Sequence, residues 1–122
     1  GNLIGEARMA TLLQRVAHGA DAMSAREALE IATLGGARVL GRDDLGSIEP
    51  GKRADLAIWD LGGVEAAGAW DPVAALVLCG PTRVQGLIVE GREVVRDGQL
   101  LTVDLPTLIE RQNQLARKLA GP

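Results

Sequence analysis

The chain has 122 residues, a net charge of −3 at neutral pH, one histidine and one cysteine. This charge argues against a nucleic-acid partner, which calls for clustered basic side chains, and one cysteine cannot close an internal disulfide. No apolar run approaches the ~18 residues of a membrane span, and the first residues lack the basic-then-apolar layout of a secretory leader, so no membrane partner and a cytoplasmic location are expected.

Apolar residues make up 47% of the chain, but Phe and Tyr are absent and Trp59 and Trp70 are the only aromatics. Ala, Leu and Val must therefore do the packing, and each buries less surface than an aromatic ring. Sixteen glycines add to the entropy that folding must overcome. The chain reads as a segment that packs against more protein than is present.

The stretch "NLIGEARMATLLQRVAHGAD" predicts a helix with Met9, Leu12, Leu13 and Val16 as one apolar stripe, closed at His18-Gly19. A second helix follows, opened by Ser24 and Glu27 in the capping-box spacing, with Ala25, Ala28, Leu29 and Ala32 as a small-residue face. Gly35-Gly36 is expected to weaken or bend it, and "ARVLG" to add a last turn before Gly41.

Period-two patterning takes over after "RDDLG", which places a boundary near Gly41 to Gly46. Ser47–Glu49 reads as a short strand, Pro50-Gly51 as the centre of a type II turn, and Leu56–Trp59 as a strand covered in part on both faces and ended by Gly62-Gly63. Asp71, Pro72, Gly80 and Pro81 predict the cap, first turn, stop and exit of a short helix. "RVQGLIVEGREVVRDGQLL" predicts a hairpin turning at Glu90-Gly91, with a second turn at "RDGQ". The last helix is expected to start at Asp104, with Pro106 in its first turn and Leu105, Leu108, Ile109, Leu115 and Leu119 along one side.

Few residues suit a catalytic centre. A catalytic zinc site takes about three protein ligands, and only His18, Cys79 and carboxylates are on offer. His18, beside a helix-stopping glycine, reads as a helix-end residue. Cys79, among Val77, Leu78 and Gly80, reads as a buried, inert thiol. Asp43-Asp44 reads as a turn cap rather than an acid pair, Lys52-Arg53 as a solvated corner, and Asp55 as a carboxylate bonding nearby backbone. No glycine pattern matches a phosphate-binding loop. No catalytic residue and no metal ligand is assigned to this chain, and no substrate-binding residue can be named.

Three stretches, "AREALEIATLGGARVLG", "LGSIEPGKRADLAIWDL" and "DPVAALVLCGPTRVQGLIVEGREVVRDGQL", follow one another between residues 25 and 100. In this order they resemble the C-terminal end of metal-dependent amidohydrolases, the G-x-I-x-P-G-K-x-A-D-L element being the more specific. "NLIGEARMATLLQRVAHGA" and "DPVAALVLCGP" are similar to the branch containing 8-oxoguanine deaminase and hydroxydechloroatrazine ethylaminohydrolase. The resemblance implies an α/β parent with a (β/α)8 barrel and a small β-sandwich. Residues 1–42 would be the last barrel helices, 43–103 the C-terminal half of the sandwich, and 104–122 a terminal helix.

The resemblance further implies that a divalent metal, zinc or iron, activates water to release ammonia or an amine from a purine, pyrimidine or triazine ring, 8-oxoguanine-like by preference. Its histidine and aspartate ligands would all lie before Gly1, so no cofactor is assigned to this chain. The expected partner is the remainder of the parent chain, and the isolated chain is expected to self-associate over its exposed apolar faces. A non-catalytic, self-standing interaction or regulatory module with a half-sandwich fold is the competing reading.

Overall fold

The structure, a computed structural model, describes residues 2–80 and 83–121. Helix α1 (Leu3–His18) is capped by Asn2, whose side chain accepts from the Gly5 amide at 3.1 Å. It ends at Gly19, where φ of 112° suits a residue without a Cβ. Helix α2 (Ala25–Glu30) opens on the capping box: the Ser24 amide donates to Glu27 at 2.7 Å, and the Glu27 amide donates to Ser24 Oγ at 3.2 Å. A π-helical segment, Ile31–Gly35, continues it into the short helix α3 (Gly36–Val39), and the chain leaves through Gly41 at φ 65°. The weakening expected at Gly35-Gly36 thus takes the form of a wider turn that runs up to Gly35, with regular α-helix resuming at Gly36.

Helix α4 (Pro72–Leu78) is capped by Asp71, whose side chain accepts from the Val73 amide at 2.8 Å. Gly80 follows it at φ 56°, and Pro81 lies outside the described residues. Although α4 follows the first strand in sequence, it packs on α1 and α2. The core they share is built from Ala7, Ala25, Ala28 and Val77, flanked by Met23, Leu29, Val73, Ala74 and Leu78. Alanines at the contact let helix axes approach closely. Thr11 is fully buried there and satisfies its hydroxyl by donating to the Ala7 carbonyl at 2.9 Å.

The core uses a different side of α1 from its apolar stripe. The buried residues of α1 are Ile4, Ala7 and Thr11, whereas Met9, Leu12, Leu13 and Val16 are 46% to 87% exposed. Ala7 lets the helix approach α2 and α4 closely, and the large apolar stripe is left outward.

The four strands β1 (Leu56–Trp59), β2 (Val84–Val89), β3 (Arg92–Arg96) and β4 (Gln99–Leu100) form one antiparallel sheet in that order. The β2–β3 turn places Glu90 and Gly91 at φ 50° and 75°, and the β3–β4 turn places Asp97 and Gly98 at 50° and 72°. Both central residues at positive φ give the turn twist that matches right-handed strands. In β1, Leu56 and Trp59 are partly buried, and Ala57 and Ile58 are exposed. The strand expected at Ser47–Glu49 is not formed: those residues make a loop whose side chains bond one another instead of a neighbouring strand. The Pro50-Gly51 turn does form, with the Lys52 amide donating to the Glu49 carbonyl at 3.2 Å and Gly51 at φ 88°.

A 3-10 turn at Val64–Ala66 lies in the connection to α4. Helix α5 (Leu105–Ala120) starts at the Asp104 cap and contains no buried residue. Its apolar side, Leu105, Leu108, Ile109, Leu115 and Leu119, is exposed to solvent.

Candidate functional site

The densest polar constellation lies in the loop between α3 and β1 and against the β2–β3 turn. Arg42 grips Asp44 with both arms of its guanidinium, Nε to Oδ1 at 2.8 Å and Nη2 to Oδ2 at 2.6 Å. Arg53 donates from Nε to the same Asp44 Oδ2 at 2.9 Å, and from Nη1 to Glu90 Oε1 on the hairpin turn. The Arg42 fork, joined by Arg53, holds the Asp44 carboxyl down from 3.8 to about 2, against an opposing push from desolvation.

Beside this network, Lys52 Nζ donates to Ser47 Oγ at 2.5 Å and to Glu49 Oε1 at 3.1 Å, and Ser47 Oγ donates to Glu49 at 2.5 Å. Ser47 first, and Lys52 second, lower the Glu49 pKa. Asp55 accepts from the Glu90 amide at 2.6 Å. Arg53 is exposed as a solvated corner should be, and Lys52 is half-buried, but both cations are also paired, Lys52 with nearby Glu49 and Arg53 with Asp44 and Glu90. Asp55 bonds backbone as expected, but across the sheet instead of next door in sequence.

These groups pair with one another, which leaves every member engaged in holding the loop. Asp44 and Glu49 are held toward the charged form, the opposite of what a general acid requires. Asp43 makes none of these bonds. His18 is exposed at the end of α1, and Cys79 is a free, half-buried thiol at the end of α4 rather than a fully buried one.

Among the described residues, no three His, Cys, Asp or Glu side chains gather into a group that could hold a metal ion. The described residues therefore do not fit a catalytic metal centre. No described helix is long and apolar enough to cross a membrane.

Arg42, Ser47, Glu49 and Glu90 were not singled out by sequence. Glu90 meets Arg53 across 37 residues, a distance that no local pattern spans. Arg8 was also missed: it donates from Nε to the Val77 carbonyl at 2.8 Å and from Nη2 to the Gly80 carbonyl, tying α1 to the C-terminal end of α4.

The sequence profile of the amidohydrolase family matches residues 1–94. The chain belongs to the amidohydrolase family. Its relatives include an 8-oxoguanine deaminase of Pseudomonas aeruginosa, 43% identical over 118 residues that cover 97% of this chain and 26% of the relative. A 5-methylthioadenosine/S-adenosylhomocysteine deaminase of Desulforudis audaxviator is 41% identical over 121 residues, covering 97% of this chain and 28% of the relative. Among solved structures, zinc-complexed atrazine chlorohydrolase TrzN from Arthrobacter aurescens TC1 superposes with a TM-score of 0.84 at 36% identity, over 93% of this chain and 26% of that one. The chain thus spans about a quarter of the length of the relatives it matches.

Proposed function

We propose that the chain is the scaffold end of a metal-dependent aminohydrolase that cleaves a carbon–nitrogen bond on a purine, pyrimidine or triazine ring, with an 8-oxoguanine-like substrate as the specific reading. In this reading residues 1–42 are the last helices of a (β/α)8 barrel, 43–103 are half of a β-sandwich, and 104–122 are a closing helix. The catalytic centre, with its zinc or iron, is held by the rest of a longer parent chain, which is this chain's partner.

The observation that carries the reading is 43% identity to a protein named 8-oxoguanine deaminase across 97% of this chain. The relation of α1 to its neighbours agrees with it. One side of α1 buries Ile4, Ala7 and Thr11, with Ala7 in the core shared with α2 and α4, and the other presents Met9, Leu12, Leu13 and Val16 outward. An apolar stripe of this kind calls for another element to cover it.

The test is release of ammonia from 8-oxoguanine, guanine and cytosine, and of alkylamine from hydroxyatrazine, by the full-length parent. The reading expects kcat/KM for 8-oxoguanine to exceed the others by about tenfold or more, a gap of roughly 1.4 kcal/mol in transition-state binding. Faster turnover of the triazine or of cytosine would replace the 8-oxoguanine assignment, and no turnover of any ring amine would overturn the aminohydrolase reading.

A further inference from the structure

Helices in this chain pack chiefly on helices and strands on strands. The two groups meet at the loop between α3 and β1, and its two ends are fastened to different sides. At the helix side, the Arg42 amide donates to the Ala37 carbonyl at 3.0 Å. Gly46 sits against Thr33, Leu34 and Ala37, so near that a Cβ there would approach each to 3.1 Å. At the sheet side, the Gly91 amide donates to the Ala54 carbonyl at 3.1 Å and the Glu90 amide to Asp55 at 2.6 Å.

One side chain reaches both ends. The Arg53 guanidinium holds Asp44, on the helix-bound end, and Glu90, on the hairpin turn of the sheet. Arg42 braces Asp44 from behind with a two-point grip, and the Arg53 amide donates to the Asp44 carbonyl at 3.0 Å. We propose that Arg53 is an electrostatic latch that fixes the sheet against the helices, with Asp44 and Glu90 as its two strikes.

Isolated exposed ion pairs contribute little, but a braced network with planar, forked geometry is the arrangement in which such pairs matter. Lysine is a poorer replacement, because its point charge lacks the rigid planar fork of a guanidinium. Side-chain exposure of 44% at Arg53 and 62% at Glu90 leaves the latch open to screening by salt. It is a conformational device independent of the substrate reading above.

Amide hydrogen exchange on the 122-residue chain tests it. Arg53→Ala is expected to speed exchange at the Glu90 and Gly91 amides roughly tenfold while leaving the α1 amides around Thr11 unchanged. The near-isosteric variants Asp44→Asn and Glu90→Gln keep the packing, and either alone should give most of that increase, with the double variant adding little more. Raising salt should speed exchange at the same two amides in the parent chain and not in Glu90→Gln. Unchanged exchange at Glu90 and Gly91 in Arg53→Ala would overturn the latch. So would an increase spread equally over α1, or simple additivity of the two strike variants.

Discussion

A side-chain carbon placed on Gly46 would stand 3.1 Å from the Thr33 carbonyl oxygen, in the π-helical turn that follows α2. The same carbon would stand 3.1 Å from Leu34 Cα, and Gly46 also holds φ at 88°. Backbone atoms cannot swing away as a flexible side chain would, so steric crowding and left-handed strain act together. Gly46→Ala is expected to cost on the order of 1–3 kcal/mol, read as a lower urea midpoint at unchanged slope. A midpoint equal to that of the parent chain would mean that the loop is not seated on the helices as described.

Burial decides between two valines that the sequence presents alike. Val77 is fully buried at the junction of α1, α2 and α4, and Val16 is 87% exposed on α1. Val77→Ala should destabilise by about 2 kcal/mol, the loss of two buried methyl groups plus the cavity they leave. Val16→Ala should change stability by less than about 0.5 kcal/mol. Thermal unfolding of both variants checks the pair, and equal effects would contradict the face assigned to α1.

This contrast shows how far the sequence was legible. The helix ends at Ser24, Asp71 and Asp104 rest on a side chain bonding an amide two or three residues away, and short-range chemistry of that kind is readable in one dimension. The Glu90-Gly91 and Asp97-Gly98 turns were readable for the same reason. The buried face of α1 was not, because a 3.6-residue period marks an apolar stripe without saying what covers it. Ala7 and Thr11 look unremarkable until α2 and α4 arrive. The loop at Ser47–Glu49 and the pairing of Arg53 with Glu90 depend on which segments the fold brings together.

Acid should loosen the chain through the same loop. The Asp44 carboxyl is lowered from 3.8 to about 2 in the folded chain, and Glu27, Glu49 and Glu93 are lowered too by their hydrogen-bond partners. A carboxylate held below its unfolded value favours the folded state above that unfolded value, and the benefit fades as pH falls toward the folded value. The Asp44 contribution should therefore be intact at pH 5 and above and disappear between about pH 4 and 2. Melting temperature followed from pH 7 to 2 should fall in that window, and Asp44→Asn should shallow the fall. A profile in Asp44→Asn that superposes on the parent's would remove Asp44 from the account.

Two apolar helix faces remain uncovered, Met9, Leu12, Leu13 and Val16 on α1 and Leu105, Leu108, Ile109, Leu115 and Leu119 on α5. Contiguous apolar surface of this kind drives association in water. Sedimentation at micromolar concentration is expected to show oligomers of the 122-residue chain, and Leu12→Gln with Leu13→Gln should shift them toward monomer without loss of helix. A monomer for the unaltered chain would contradict the expectation.

The central claim is that this chain supplies scaffold and that the metal chemistry resides elsewhere in an amidohydrolase. Elemental analysis of the purified 122-residue chain after incubation with zinc and removal of free metal, beside the full-length parent treated alike, tests it most directly. The account predicts about one equivalent of zinc on the parent and none retained by the 122 residues. Stoichiometric zinc held by the 122 residues alone would contradict it.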